Sequence, residues 1–229
     1  MKQSDIASLR LYQLISPSLP IGSFTYSQGM EWAVENAWVN NVDSLSGWLE
    51  TQMKDSLAWL ELPLLLRLHG ACETNDQLRF FSCSHQLYVS RETNELRQEE
   101  LNRARALLMV LNKLPGSENW PQLLAWRDAL LKSQIAGFSL ASYQWQINKK
   151  QMLFGYTWSW LENAVTVAIK LIPLGQSDGQ AVLYRLAEKI PSVVESTMLV
   201  NDEDIGASTA ALAIASSLHE TQYTRLFRS

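Results

Sequence analysis

The apolar residues of this chain recur every three or four positions over most of its length, which is the period of an amphipathic α-helix. One such run covers residues 43–69, with Asp43 placed to cap its first turn and Pro63 placed to kink or split it. A second run covers residues 91–114, and a third covers residues 158–172. The pattern therefore predicts long helices in these three segments.

Shorter segments with the same period predict further helices, and the alternation of apolar and polar positions that is typical of strands is missing. These helices are expected over residues 7–15, 23–37, 74–88, 121–131, 136–145, 180–190 and 204–218. Residues 1–229 contain no long linker, repeat or low-complexity tract. We therefore predict an all-α fold, a single-domain helical bundle of roughly ten helices, with β structure only in short pieces.

The polar face of the second predicted helix carries charges at four-residue spacing. Arg91 with Glu95, and Glu99 with Arg103, are expected to pair along its solvent-facing side. Glu99 and Glu100 are adjacent carboxylates in this charged stretch. Solvation is therefore the expected state of both.

Composition narrows the classes of protein to which the chain can belong. Apolar residues make up 47% and charged residues 18%, which is enough to bury a large core and too apolar for a disordered chain. The 19 Lys and Arg residues are scattered and the net charge is −4, so nucleic acid is not an expected partner. Two cysteines indicate a reducing compartment, and no apolar run suits a signal peptide or a membrane span. We expect a cytoplasmic protein that contacts no membrane.

Sequence patterns for catalysis or cofactor binding are missing. They include the glycine-rich phosphate and dinucleotide loops, the GxSxG nucleophile elbow and the HExxH zinc signature. The 3 histidines have no neighbouring Ser or Cys in a catalytic frame, and the acidic residues 202–204 are expected to form a solvated loop. We therefore expect a protein that is not an enzyme and that holds no cofactor.

Four side chains of the types that ligate nickel or zinc lie close together in the sequence. His69 and Cys72 form an HxxC pair, and Cys83 and His85 form a CxH pair. These residues could make the chain a direct nickel or zinc carrier. The spacing fits structural zinc sites loosely, because Cys83 and His85 would point to different sides of one helix. Two buried thiols with surface or capping histidines are the favoured interpretation.

Two segments are unusual for a plain helical bundle. Residues 16–31 read SPSLPIGSFTYSQGME, and Gly29 lies within an amphipathic stretch, where glycine costs about 1 kcal/mol relative to alanine. That cost suggests that something approaches the backbone closely there. Residues 173–180 read PLGQSDGQ, in which Gln176 and Gln180 either hold a neighbouring or partner backbone or are simply exposed.

The C-terminal tail, residues 219–229, reads HETQYTRLFRS. It places three large apolar side chains among two arginines, namely Tyr223, Leu226 and Phe227 with Arg225 and Arg228. Such side chains gain nothing on a frayed chain end, so we expect them to dock. Aromatic side chains interleaved with arginine have the composition of binding hot spots. Docking on a partner protein and docking on the body of the same chain are equal alternatives at this point.

Four stretches together resemble the UreF family of urease accessory proteins: SPSLPIGSFTYSQGMEWAVE from Ser16, ETNELRQEE from Glu92, KLIPLGQSDGQ from Lys170 and HETQYTRLFRS from His219. The resemblance spans nearly the whole chain. It implies an all-α fold, a tendency to form homodimers, and a scaffold made with the UreD protein, also called UreH. It further implies that this scaffold recruits the GTPase UreG and delivers nickel to apo-urease, and that the tail becomes ordered on meeting UreD.

The resemblance also implies which side chains contact partners. The tail positions expected at UreD are His219, Glu220, Tyr223, Arg225, Leu226, Phe227 and Arg228. The positions expected to dock UreG, or to hold the surface that recruits it, are Tyr26, Gln28, Glu31, Lys170, Gln176 and Gln180. A role in modulating the GTPase cycle of UreG is suggested for the family, and an arginine finger would be its physical basis. The arginines nominated for it are Arg91, Arg97 and Arg225.

Overall fold

Thirteen α-helices and no β-strand make up the regular structure of residues 3–229, the part of the chain that the computed structural model describes. The helices are α1 (Gln3–Ile15), α2 (Met30–Glu35), α3 (Val42–Gln52), α4 (Glu61–Thr74), α5 (Gln77–Ser90), α6 (Asn94–Leu111), α7 (Gln122–Ala125), α8 (Arg127–Leu130), α9 (Gln134–Gln144), α10 (Lys149–Leu171), α11 (Gln176–Ala187), α12 (Ile190–Thr197) and α13 (Ala210–His219). Short 3-10 turns lie at Ser23–Thr25, Ser117–Asn119 and Asp202–Asp204, and a π-helical turn lies at Met53–Leu57. The predicted all-α fold is confirmed.

Among the described residues, no helix combines the length and the apolarity that crossing a bilayer requires.

Helices α4, α9 and α10 form the centre of the core. Helix α4 packs against α5, α9 and α10, and α9 also packs against α6. Every residue of α9 from 134 to 142 is buried, and Leu62 and Leu65 of α4 are 0% exposed. The outer helices close on this centre, because α1, α11 and α12 pack on α10 while α13 packs on α2. The contact of α13 with α2 places the C-terminal tail beside the segment that precedes α2.

The first predicted helical run divides into α3 and α4, but Pro63 is not the cause. Asn41, rather than Asp43, caps α3, because its side-chain oxygen accepts hydrogen bonds from the backbone N–H of Asp43 and of Ser44, at 2.9 Å each. The break lies at the π-helical turn Met53–Leu57, whereas Pro63 falls in the first turn of α4. Proline is tolerated there because its missing N–H would have no partner within the helix.

Other helix boundaries differ from the prediction for reasons of backbone conformation. The helix predicted over residues 23–37 is interrupted, since Gln28 and Gly29 have φ angles of 53° and 77°, outside the right-handed helical region. Thr209 caps α13, which begins later than predicted. Helix α12 is missing from the prediction, because Pro191 suggests the end of a helix although it occupies the first turn of a new one.

A group of buried charges joins α4, α6 and the link between α5 and α6. Arg91 does not pair with Glu95 as predicted, and its guanidinium lies 2.7 Å from Glu61 and 2.8 Å from Glu100. Helical spacing does not apply to Arg91, because α6 begins only at Asn94. The two carboxylates therefore enclose the guanidinium inside the bundle.

Glu99 and Glu100 are buried, with 3% and 4% of their surface exposed, so the prediction that they are solvated is wrong. The predicted ion pair of Glu99 with Arg103 is confirmed, at 2.9 Å. Glu100 also accepts hydrogen bonds from the backbone N–H of Gln134 at 2.8 Å and from the hydroxyl of Ser133 at 3.1 Å. These contacts tie α6 to the start of α9, and they give both buried carboxylates their donors.

The charges of this group shift the pKa values of its members. Burial alone would raise the pKa of Glu61, but the charge of Arg91 and a hydrogen bond from Tyr156 at 2.6 Å outweigh it, and the pKa is lowered. Burial and the Glu61 carboxylate raise the pKa of Tyr156 well above its ordinary value. Because the pKa of Glu61 in the folded chain lies below the ordinary 4.5, its pairing stabilises the fold above that pH. This contribution is lost as the pH falls through the folded pKa.

Replacing Arg91 with methionine should leave the Glu61 and Glu100 carboxylates buried without their cation. Breaking a buried ion pair in this way typically costs about 3–5 kcal/mol, and we expect the free energy of unfolding to fall by that amount. Urea unfolding followed by circular dichroism measures it. The control is Arg105→Met at an exposed position of α6, which should change stability by less than about 0.5 kcal/mol. Equal losses for the two variants would show that the buried pairing contributes nothing.

Candidate partner-docking site

Hydrogen bonds join three of the four segments that carry the resemblance, and the fourth contacts the tail through Lys170. Glu31 of α2, which is 7% exposed, binds the tail directly. The Glu31 carboxylate accepts hydrogen bonds from the backbone N–H of Leu226 at 2.5 Å and of Phe227 at 2.9 Å. The oxygen that binds Phe227 also lies 3.2 Å from Nε2 of His219. Glu31 therefore contacts the tail at His219, where it begins, and again at Leu226 and Phe227.

The end of the tail is hydrogen-bonded to the backbone that precedes α2. The N–H of Arg228 donates to the carbonyl of Thr25 at 2.9 Å, and the N–H of Ser27 donates to the backbone oxygen of Ser229 at 2.8 Å. The hydroxyl of Ser229 donates to the carboxylate of Glu99 at 2.8 Å. The tail is thereby joined to the buried charge group.

His219, the last residue of α13, connects the tail to α6. Its ring is 0% exposed, and its Nδ1 lies 2.6 Å from the Glu95 carboxylate. The same carboxylate pairs with the guanidinium of Arg225, and the backbone N–H of Glu95 donates to Glu220 at 3.1 Å. The imidazole therefore has one carboxylate at each ring nitrogen, Glu31 at one and Glu95 at the other.

The tail has an inward and an outward set of side chains. Phe227 is 6% exposed and His219 is 0% exposed. Of the two alternatives for docking of the tail, the structure therefore shows docking on the body of the same chain for these two side chains. Tyr223 is 102% exposed and Leu226 is 67% exposed, and both point away from the body. In the single chain the Glu31 carboxylate binds the backbone of the tail at Leu226 and Phe227.

Two of the predicted residues before α2 face inward. Tyr26 is 6% exposed. The side-chain amide of Gln28 donates to Glu99 at 2.9 Å and accepts from the indole N–H of Trp160 at 3.2 Å. Both residues therefore support the site from within the bundle.

The remaining predicted residues outside the tail lie on the surface. Lys170 is exposed near the end of α10, and its Nζ lies 5.8 Å from the ring centre of Phe24 and 5.9 Å from that of Phe227. Gln176 and Gln180 are exposed at the start of α11, and within residues 3–229 neither is hydrogen-bonded to the tail. Lys170 thus contacts the tail through a cation–π interaction with Phe227.

The three arginines nominated as an arginine finger differ in accessibility. Arg91 is 8% exposed between its two carboxylates. Nε of Arg97 donates to the backbone carbonyl of Arg91 at 2.8 Å, and the side chain is half-buried. Arg225 has 38% of its side chain exposed while its guanidinium pairs with Glu95. A partner can therefore reach Arg225, whereas Arg91 is closed to it.

The four possible metal ligands are not brought together. No three His, Cys, Asp or Glu side chains in the described part of the chain are grouped so that they could hold a metal ion. Cys83 is buried while His85 is exposed beside the ring of Phe81, so the two point to different sides of α5 as expected. His69 is 5% exposed, which corrects the surface position expected for it. Burial raises the pKa of Cys72 to about 12, so this thiol stays protonated at neutral pH.

Two residues that organise the site are missing from the predicted set. Glu95 binds the tail through His219 and Arg225, and Glu99 binds it through Ser229. Both lie in ETNELRQEE, one of the stretches that carry the resemblance. Their place in this stretch is the feature of the sequence from which Glu95 and Glu99 could have been predicted as site residues.

Gly29 allows α2 and α13 to cross closely. A Cβ added at Gly29 would lie 2.8 Å from the backbone nitrogen of Ser216, closer than Cβ atoms approach other atoms in proteins. The close approach to the backbone that the sequence suggests is therefore confirmed, and the approaching group is the backbone of α13 in the same chain. This crossing places His219 against Glu31.

Gly29→Ala should push α13 away from α2 and destabilise the fold. Gly22→Ala is the matched control, because Gly22 has a similar φ of 75° and nothing within 4 Å of its added Cβ. The left-handed backbone costs each variant about 1–2 kcal/mol. Overpacking against α13 should lower the free energy of unfolding of Gly29→Ala by about 1–3 kcal/mol more. Chemical unfolding of both variants measures the difference, and equal losses would contradict a close crossing.

Comparison with known proteins agrees with the family that the four segments indicate. The UreF family model matches residues 39–187. The urease accessory protein UreF of Alcanivorax borkumensis is 56% identical over 228 residues, which cover 99% of this chain and 100% of that protein. UreF of Pseudomonas putida strain W619 is 46% identical over 228 residues, which cover 99% of each chain. UreF of Enterobacter sp. strain 638 is 39% identical over 221 residues, which cover 96% of this chain and 97% of that protein.

The family model ends before the tail, whereas the similarity to the full-length relatives extends over it. All four segments lie within the aligned length of these relatives. The chain belongs to the UreF family of urease accessory proteins.

Proposed function

We propose that this protein is a non-catalytic scaffold for urease maturation in the cytoplasm. Together with UreD (UreH) it recruits the GTPase UreG, and the assembly inserts nickel into apo-urease. The scaffold works as a homodimer and modulates the GTPase cycle of UreG. Membership in the UreF family supports the accessory role. The main support for the docking role comes from the tail. Its backbone is hydrogen-bonded to the body, while the side chains of Tyr223 and Leu226 are exposed.

The tail combines a fixed backbone with exposed anchors. The N–H of Leu226 is bound by Glu31, while the Leu226 side chain is 67% exposed and Tyr223 is 102% exposed. A side chain on a fixed backbone loses less conformational entropy when a partner covers it than one on a mobile chain. This arrangement supports Tyr223 and Leu226 as anchors for UreD.

Positive charges border these anchors. Arg225 and Arg228 are exposed on the tail, and Lys170 lies against the ring of Phe227. Guanidinium groups form charge-assisted hydrogen bonds with carboxylates, which add specificity to apolar contacts. We therefore expect the partner surface to place carboxylates around apolar pockets.

The other predicted residues divide between support and contact. Tyr26 and Glu31 are buried and Gln28 is half-buried, so these three hold the surface from below. The exposed candidates for contact with UreG are Lys170, Gln176 and Gln180. Arg225 is the accessible candidate for acting on the GTPase cycle. This division follows burial, because a partner can touch only what solvent can reach.

Leu226→Asp should weaken binding to UreD about 30-fold or more, the loss typical of a hot-spot anchor. The substitution changes an outward side chain and leaves the backbone bond to Glu31 in place. The control is Leu199→Asp, since Leu199 is 81% exposed but lies outside the tail. Calorimetry with UreD gives the affinities, and co-elution with UreD and then with UreG and GTP follows the assembly. Wild-type affinity in Leu226→Asp would show that the tail is not the UreD contact.

Nickel binding by the isolated chain should not depend on its cysteines. Cys72 and Cys83 are buried, burial raises the pKa of both thiols, and neither belongs to a group of possible metal ligands among the described residues. We expect equilibrium dialysis against nickel to give the same result for the wild type and for the Cys72→Ser, Cys83→Ser double variant. Tight binding that disappears in the double variant would favour a direct metal carrier instead.

A further inference from the structure

A cavity of about 80 Å³ lies behind the segment 16–24, which belongs to the first of the four stretches that carry the resemblance. Its walls come from this segment, from the end of α1 and from α6, α9 and α10. The side-chain amide of Asn163, on α10, donates to the backbone carbonyl of Ser23 at 3.3 Å. The segment is therefore held over the cavity by a hydrogen bond to α10.

Two charged side chains, Arg103 and Glu162, are among the described residues that line the cavity. The Nη1 atom of Arg103 donates to Glu99 at 2.9 Å and its Nη2 atom donates to Gln134 at 3.2 Å. Its buried Nε atom has no hydrogen-bond partner among the described residues. A guanidinium group has donors only, so a ligand that brings an oxygen acceptor would complete the hydrogen bonding of Arg103.

Glu162 presents the opposite requirement, because it needs a donor. It is half-buried, and burial raises the pKa of its carboxyl group in spite of a hydrogen bond from Trp158. No cation among the described residues contributes to this shift. The hydroxyl of Tyr156, which also lines the cavity, already donates to Glu61 at 2.6 Å. A ligand with N–H groups would therefore supply the donor that this carboxylate needs.

The size and the charges of the cavity limit what it can hold. A cavity of about 150 Å³ holds one benzene ring, so about 80 Å³ leaves room for about three or four heavy atoms. An anion would lie beside Glu162 and near Glu99, which pairs with Arg103, and a cation would face Arg103. A neutral group with both a carbonyl oxygen and N–H donors suits both charged walls, and a primary carboxamide is a small group of this kind.

We propose that the cavity behind the segment 16–24 binds a primary carboxamide, whose oxygen accepts from Arg103 and whose NH₂ group donates to Glu162. The carboxamide is either a small free molecule or the side chain of an asparagine or glutamine of a partner protein. A partner can reach the site beside Phe24, which lines the cavity, is 56% exposed and has its ring centre 5.8 Å from Nζ of Lys170. Binding in the cavity does not depend on the proposed function.

The first test titrates the isolated full-length chain with acetamide and with acetate, which have nearly the same size and differ in charge. NMR shifts of the backbone amides of Ser159 and Asn163, on the cavity wall, report binding. Because a ligand of about four heavy atoms makes few contacts, we expect acetamide to bind with a Kd of about 1–10 mM and acetate to bind about tenfold more weakly. Tighter binding of acetate would overturn the proposal. So would the lack of saturation by acetamide up to about 100 mM, which is the result expected if the cavity takes up water only.

Two variants place the ligand in this cavity. Ser159→Leu should abolish acetamide binding because the larger side chain fills the space, and Ser192→Leu, at an exposed helical position on α12, is the matched control that should bind like the wild type. Glu162→Gln should weaken acetamide binding about tenfold, the effect of losing a hydrogen bond to a charged group, and should strengthen acetate binding because a negative charge is removed. Undiminished acetamide binding in either cavity variant would contradict the proposed site.

The source of the carboxamide is decided by the affinity for UreD and for UreG. If a partner supplies it, about 100 mM acetamide should weaken one of these affinities about tenfold or more by competition, and Ser159→Leu should weaken the same one. If a small free molecule supplies it, acetamide and Ser159→Leu leave both affinities unchanged. Failure of the wild-type chain to bind either protein would refute the proposed function, whereas the titration of the isolated chain would still decide whether the cavity binds a carboxamide.

Discussion

A carboxylate buried in a protein must be met by hydrogen-bond donors or cations, and this requirement shapes both the core and the C-terminal tail. Glu61 and Glu100 close on Arg91 inside the bundle. Glu31 is satisfied differently, since backbone N–H groups of the tail and the imidazole of His219 face it. The tail is therefore not an appendage. It supplies the donors that a buried carboxylate needs.

One continuous polar network links the tail to the centre of the fold. Glu99 pairs with Arg103, accepts from the amide of Gln28 and accepts from the hydroxyl of Ser229. Gln28 in turn accepts from Trp160 of α10. The position of the tail therefore depends on the packing of the core helices.

In this member of the UreF family, the tail is divided between buried and exposed side chains. Phe227 and His219 are buried and hold the tail, whereas Tyr223 and Leu226 are exposed. Lys170 adds a cation beside Phe227 at the edge of the same surface. Residues of one short segment thus differ in burial, and residue type does not separate them, since Phe227 is buried and Tyr223 is exposed.

The sequence by itself determined the helical class, the family and the importance of the four segments, because periodicity and short motifs are properties of neighbouring residues. It was wrong about Glu99 and Glu100, since four-residue spacing describes one helix and does not show that α9 covers them. It left the docking of the tail open, because the Glu31 carboxylate that binds Leu226 lies 195 positions away along the chain. Only the tertiary structure decided these points, since burial and distant pairing arise when separate helices pack together.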